Sequence, residues 1–342
     1  MTNHRSNEVW VLGEAKAGGE LSGTVFELAG VARGLADARS PSTLVNVVLL
    51  LDAEKAEAAE LKAPAAYGAD RVTVVRSAGL PYDRAACAKI LAHLAKQGEP
   101  EIILASATAF GRSVMPYAAA LLGSGLTADC TGLSIEPESG LLLQTRPAIG
   151  GNIMATIKTP DHRPQMATVR PRTFRIPEPQ KDRVCDVAAP DLPPELLRPT
   201  VETVSFKAFD PGEGALQERD AIVTGGKGLR KAEGFELLSR LAELIGAGLG
   251  ASRPVVEMKW IGYPHQVGLS GQVVSPKVYI AAGVSGTVQH LAGMQTSGKI
   301  VAINRDPEAL IWNVADVGIV GDLYDVIPRL IEKIEAGRGR VR

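Results

Sequence analysis

Residues 278–332 read VYIAAGVSGTVQHLAGMQTSGKIVAINRDPEALIWNVADVGIVGDLYDVIPRLIE, and their periodicity decides the fold of the second half of the chain. An apolar run at 278–282 feeds Gly283-Val284-Ser285-Gly286, and a helix is expected through Gln289 and His290. A second run at 300–303 ends at Asn304, and a third at 317–320 ends at Gly321-Asp322. The unit is strand, small-residue turn, helix, used repeatedly. Open α/β sheets place polar and small residues at the carboxyl ends of parallel strands, where ligands lie. The stretch therefore predicts a nucleotide or flavin site.

The same unit is legible on either side. Upstream, 221–224 predicts a strand and 235–245 a helix, with Gly225-Gly226-Lys227-Gly228 at the start of their connection. Small residues there would let the backbone approach an anion at a helix amino terminus. No Gly-Lys-Ser/Thr closes the loop and no GxGxxG fingerprint is present, so a tight structural turn explains it equally well, with Lys227 a solvated helix-end cation. The run Gly-Ala-Gly-Leu-Gly-Ala at 246–251 reads as a loop at a helix end, followed by Ser252-Arg253-Pro254. Gln266-Val267-Gly268-Leu269-Ser270-Gly271 is a further glycine-flanked loop that presents the Ser270 hydroxyl. Taken singly, each is an ordinary turn, and His290 is an ordinary helical histidine. Leu323, Val326, Ile327, Leu330, Ile331 and Ile334 recur at spacings of three and four, as in a closing amphipathic helix that packs on its own sheet.

The first half alternates in the same way. Strands are expected at 9–12, 44–51, 71–75 and 101–105 and helices at 24–35 and 83–96, a βαβα order that implies a mostly parallel sheet covered on both faces. After Cys130 the character changes to short strands at 131–135, 140–146, 153–158 and 165–171, read as an antiparallel extension of that sheet. Residues 177–199 hold six prolines among charges and predict a linker or surface meander. The domain boundary is placed near Asp210-Pro211-Gly212, giving a Rossmann-like α/β domain over 1–208 and a second doubly wound α/β domain over 209–342.

Composition narrows the function classes. The 342 residues carry a net charge of −1 and 4% aromatics, which leaves neither an electrostatic footprint nor stacking platforms for nucleic acid. Three cysteines, Cys87, Cys130 and Cys185, are too far apart for a CxxC metal or cluster site, and their odd number argues against a disulfide framework. No apolar run reaches the ~20 residues of a membrane span, and the amino terminus lacks the apolar core of a secretory signal. A soluble, cytoplasmic protein is expected, not an integral membrane one. No metal-spaced histidine pair, nucleophile elbow or paired carboxylates stand out, so no catalytic residue is assigned. The available donors, Arg253, Ser270 and His290, suit stabilisation of negative charge on a bound ring system, as a reduced flavin requires.

From about Ala221 onward the chain resembles the α subunit of electron transfer flavoproteins, the family that includes FixB proteins. YIAAGVSGTVQHLAGMQTSGKIVAINRD followed by VADVGIVGDL carries the likeness, supported by SRP, VGLSG and GGKGL and more loosely by GLTADCTGL and RPAIGGN in the first half. The resemblance implies an electron carrier: a heterodimer with a β subunit, one FAD held mainly by the second domain, a dehydrogenase as electron donor, and a quinone reductase or other acceptor. The first domain would pack on the β subunit. Carried onto this sequence, Arg253 would lie by the isoalloxazine ring, with Ser252 among the cofactor-binding residues, and Ser270 would bond near N5, in the cofactor-binding loop Val267, Gly268, Leu269, Ser270, Gly271. His290 would stabilise negative charge at N1–O2. Ser285, Gly286, Thr287, Val288 and Gln289, with Asn304 and Asp322, would hold the ribityl, phosphate and adenosine parts, and Lys227 would sit by the pyrophosphate.

Three positions, in two loops, depart from the family pattern. Leu269 stands where the family carries Gln, which removes a polar contact, and Ser270 replaces Thr but keeps the hydroxyl. Lys227 replaces Arg, keeping charge without the bidentate fork. Two other readings stay open: a bifurcating electron transfer flavoprotein with a second FAD in the β subunit, and a stand-alone NAD(P)-linked oxidoreductase. A nucleotide-sensing module without redox function is a further class.

Overall fold

The computed structural model describes residues 6–148, 153–205 and 216–338, which fall into two compact units divided between 205 and 216. The expected boundary at Asp210-Pro211-Gly212 and the last four residues of RPAIGGN lie outside the described residues.

The first unit is built on seven parallel strands. They are β1 (Glu8–Gly13), β2 (Leu44–Asp52), β3 (Arg71–Ser77), β4 (Ile102–Ser106), β5 (Leu126–Cys130), β9 (Gln165–Val169) and β10 (Asp186–Ala188), in the order β10-β3-β2-β1-β4-β9-β5. The continuous apolar runs of β1, β2 and β4 are buried on both sides, as the absence of alternation requires. Helix α1 (Gly23–Arg39) covers one face, while α2 (Arg84–Gly98) and α3 (Gly111–Leu122) cover the other. Each fully buried Val, Leu or Ile here contributes roughly 1.5–3 kcal/mol. Cys87 and Cys130 belong to these cores, where burial pushes both thiols up to about 12, and Cys185 is half-buried.

The sequence reading needs two corrections here. The antiparallel addition exists, but as a separate three-stranded sheet of β6 (Gly132–Ile135), β7 (Leu142–Pro147) and β8 (Met154–Ile157), not as an extension of the main one. The run at 165–171 instead inserts as β9, parallel, between β4 and β5. Its five residues are all buried, and only a central place in a sheet supplies that. The proline-rich stretch does run along the surface, contributing the short exposed edge strand β10. Two carboxylates pin the chain on its way. Glu27 on α1 accepts from the backbone N–H groups of Arg172 and Phe174, and Asp83, the N-cap of α2, also accepts from the Thr200 backbone and hydroxyl.

The second unit is a five-stranded parallel sheet in the order β12-β11-β13-β14-β15. Its strands are β11 (Ala221–Gly225), β12 (Gly248–Ala251), β13 (Val278–Ala282), β14 (Lys299–Asn304) and β15 (Val317–Val320). The glycine run read as a loop is in fact edge strand β12, paired with β11 over Gly248–Ala251. Glycine-rich sequence has low strand propensity, so only the neighbouring strand reveals it. Helices α4 (Gly234–Ile245) and α7 (Leu323–Arg338) close one face. As read from the spacing, Leu323, Ile327 and Ile331 of α7 are buried, with Val326, Leu330 and Ile334 packed beside them. Two short helices, α5 (Arg253–Glu257) and α6 (Val288–Leu291), follow β12 and β13. Among the described residues no helix is long and apolar enough to cross a membrane.

Candidate functional site

The strand order of the second unit creates a switch point. From β11 the chain passes to β12 on one side and then to β13 on the other, so the connections leaving β11 and β13 lead to opposite sides of the strand order, the place where open α/β sheets hold ligands. A cleft of about 860 Å³ lies there, walled by loops after β11, β12, β13 and β14. This is within the range of roughly 300–1,000 Å³ usual for cofactor sites. The first unit has smaller cavities, of about 120 Å³ near the ends of β1 and β2 and about 220 Å³ beside Lys96 and Arg163.

Most residues singled out in the sequence meet in the larger cleft. Lys227, Ser252, Arg253, Val267, Gly268, Leu269, Ser270, Ser285, Thr287, Gln289, His290 and Asn304 all line it, although they come from five separate stretches of chain. Gly271, Gly286, Val288 and Asp322 are not in its wall. Gly271 closes the 266–272 loop by donating to the Gly268 carbonyl. Gly286, at φ +78°, lies so close to Ile311 that a Cβ would stand 2.3 Å from its nitrogen. Asp322 caps α7 by accepting from Tyr324 N at 3.0 Å and pairs with Arg230. That capping bond holds its carboxyl below the usual range, with help from Arg230 and against some desolvation.

The Gly225–Gly228 loop carries less chemistry than its composition suggests. Gly228 N donates to the Gly283 carbonyl at 2.9 Å and Gly226 N to that of Ala282 at 3.0 Å. A Cβ on Gly226 would fall 2.3 Å from Gly283 O, and one on Gly228 2.6 Å from Gly283 Cα. The glycines serve the approach of one loop to the other, and Lys227 alone offers a charged side chain to the cleft from this run.

Charge in the cleft is biased. Lys227, Arg230, Arg253 and Arg305 face Glu257 and Asp306, four cations against two carboxylates. Arg253, the first residue of α5, is exposed and donates from Nε to Glu257 Oε1 at 2.7 Å. Ser270 Oγ accepts from Gln266 Nε2 at 3.1 Å, and Tyr263 OH donates to the Ser270 carbonyl at 2.8 Å. Leu269 is 59% exposed, an apolar side chain at the lip.

His290 differs from its neighbours. It is only 5% exposed, its Nε2 lies 3.0 Å from the Tyr279 hydroxyl, and its Nδ1 is buried without a hydrogen-bond partner. Burial pushes the imidazole pKa down to about 4, against a smaller opposing pull from the Val267 backbone. The ring is therefore neutral near pH 7. A buried polar atom lacking a partner costs about 1–3 kcal/mol, so its persistence in a cleft wall points to a hydrogen-bond partner supplied from outside the chain.

Sequence reasoning missed Arg230, Glu257, Arg305, Asp306 and the Tyr279 hydroxyl. Arg305 and Asp306 follow Asn304 directly, so the carboxyl-end rule already used for Asn304 would have found them. Tyr279 gave no such signal, because an aromatic inside a strand reads as core.

Two family models and several curated relatives match the chain. Residues 9–195 match the family model described as electron transfer flavoprotein domain, and residues 215–295 match the one described as electron transfer flavoprotein FAD-binding domain. The chain is 45% identical over 331 residues to an electron transfer flavoprotein subunit alpha of Thermoanaerobacterium thermosaccharolyticum, covering 96% of this chain and 98% of the relative. It is 42% identical over 325 residues to protein FixB of Clostridium saccharobutylicum, covering 94% and 95%. It is also 39% identical over 323 residues to the lactate dehydrogenase (NAD(+),ferredoxin) subunit LctC of Acetobacterium woodii, covering 93% of this chain and 74% of that one.

Proposed function

Because the chain belongs to the electron transfer flavoprotein α-subunit family, we propose that the cleft of its second unit holds one FAD. Through it the protein would accept electrons from a dehydrogenase and pass them to a quinone reductase or another acceptor. The observation that carries the reading is the switch-point cleft with its excess of cations and the unspent His290 nitrogen. Volume, charge and donor set all fit a dinucleotide with a ring that gains negative charge.

The isoalloxazine supplies the redox chemistry, taking up and returning electrons. The chain's residues hold and bias it. Arg253 places positive charge by the ring, beside Ser252. With the flavin bound, Ser270 would offer its hydroxyl near N5, and His290 would donate toward the N1–O2 edge. Ser285, Thr287, Gln289 and Asn304 bind the ribityl and adenosine portions, with Lys227 at the pyrophosphate. Gly271, Gly286, Val288 and Asp322 act one step back, by shaping the loops that carry these groups.

We also assign the chain a β-subunit partner, with residues 1–208 as the packing scaffold and 209–342 as the flavin domain. Exposed apolar side chains support an interface on each unit: Ile153, Met154 and Ile157 beside or on β8, and Val317, Ile319 and Val320 on edge strand β15. Parallel edge strands are ordinarily covered. The test is purification after co-expression with a β subunit, then acid release of the nucleotide. Stoichiometric FAD supports the assignment; FMN, or a colourless protein that binds NADH, sinks it.

The likeness to LctC, named for NAD(+) and ferredoxin, favours a second reading in which the heterodimer bifurcates electrons using a further FAD in the β subunit. Flavin content decides between them, at two per heterodimer against one.

A further inference from the structure

A fully buried tyrosine hydroxyl stands against the His290 ring. Tyr279 is 0% exposed, the second residue of β13, packed among Ile222, Val267, Ala281 and Ile300 with the buried Thr224 hydroxyl beside its own. Phenylalanine would fill that space without a polar atom to satisfy. The hydroxyl instead reaches His290 Nε2 at 3.0 Å, eleven residues along the chain.

The direction of this bond follows from what surrounds the ring. A neutral imidazole carries one proton, and which nitrogen holds it is set by the bond made at the other. The Val267 backbone favours a proton on the ring, as an acceptor would. Nε2 is already engaged with the Tyr279 hydroxyl, so that pull is met at the other nitrogen, and the proton belongs on Nδ1. Nε2 is then the acceptor from the Tyr279 hydroxyl, whose oxygen can in turn accept from the Thr224 hydroxyl. On this arrangement Nδ1–H is a donor with no partner at hydrogen-bond geometry, in a residue that lines the cleft.

We propose that Tyr279 is a positioning residue: by donating its hydroxyl proton to Nε2 it locks His290 as the Nδ1–H tautomer and keeps that donor available to the cleft. The lock also opposes protonation, because a proton on Nε2 would meet the tyrosine O–H head on. His290 can then act only as a neutral hydrogen-bond donor toward a ring that gains charge. The consequence for a ligand rests on the flavin reading above, while the tautomer itself does not.

The test uses the full chain in complex with its β subunit, labelled with 15N-histidine, and long-range 1H–15N correlation spectra in the oxidised state. The expected result is a single neutral Nδ1–H pattern for His290 in the wild type. In Tyr279→Phe the expected result is a mixed or Nε2–H pattern. An Nε2–H or protonated His290 in the wild type overturns the proposal, and this measurement needs no variant to fold. An unchanged Nδ1–H pattern in a folded Tyr279→Phe overturns it equally. A second readout is the flavin midpoint potential, expected to shift to lower values in Tyr279→Phe. A tautomer change with an unmoved potential supports the lock and overturns the placement of His290 against the ring. Absence of flavin with the tautomer as expected supports the lock and refutes the flavin reading.

Discussion

Gly228 and Gly283 meet backbone to backbone: the amide of one donates to the carbonyl of the other at 2.9 Å, and a Cβ on Gly283 would stand 2.8 Å from Gly228 Cα. The two loops that bound the switch point are thereby tied to each other. Gly283 also holds φ +63°, a left-handed conformation that costs most residues about 1 kcal/mol or more.

Gly283→Ala should accordingly destabilise the second unit by roughly 2–4 kcal/mol, adding overpacking to the backbone term. Thermal unfolding followed by circular dichroism checks the stability, and flavin content per chain checks the cleft. A variant with unchanged melting and full flavin would show that the loops tolerate separation.

Arg253 shares its charge with Glu257 in an exposed pair, so neither substitution should alter stability by more than about 1 kcal/mol. Their effects on the flavin should be opposite. Arg253→Ala is expected to lower the midpoint potential, and Glu257→Gln to raise it by freeing the guanidinium. Potentiometric titration measures both, and shifts of the same sign would remove Arg253 from its assigned role.

Leu269 is exposed at the cleft lip, where family members carry glutamine. Leu269→Gln should leave the melting temperature within the error of the measurement, since surface changes of this kind stay within about 0.5 kcal/mol. It should tighten flavin retention on dilution. Equal flavin loss from both proteins would mean that the side chain does not reach the ligand.

The depressed pKa of His290 makes stability depend on pH in a definite direction. Its folded value of about 4 lies below the ordinary value near 6.5, so between these the unfolded chain binds the proton and the folded one does not. Stability from this group is complete above about pH 6.5 and declines as pH falls toward 4, by about 3 kcal/mol in total. Denaturant titrations of wild type and His290→Gln from pH 7 to pH 4 should converge by that amount as the acid end is reached. Parallel curves would mean that the imidazole is not buried neutral.

Much of the fold can be read in the sequence because its signals are local. The apolar runs at 44–51, 101–105 and 278–282 needed no knowledge of their neighbours to be recognised as strands buried on both faces. The 323–334 stripe needed only helical geometry to orient itself. The residues that follow the runs at 278–282 and 300–303, Ser285 and Asn304 among them, were marked by one rule about parallel strand ends, whereas Lys227, Ser252, Arg253 and the 267–271 loop read singly as ordinary turns and took their roles from the family resemblance. Elements with weak local signal behaved differently. Gly248–Ala251 has almost no side chain to display a period, and Gln165–Val169 gives no sign of the two strands it separates.

By itself the sequence determined the βα alternation, the loops that carry polar groups, and the family likeness borne by 279–322. Each follows from backbone periodicity or from residue types within one stretch of chain. Tertiary structure decided which loops touch. It made the Gly225–Gly228 run a packing surface for Gly283, set Arg253 against Glu257, gave Asp322 to Arg230, and put the Tyr279 hydroxyl on His290. These pairings depend on strand order and on the close approach of separate elements, and residue spacing along the chain does not encode either.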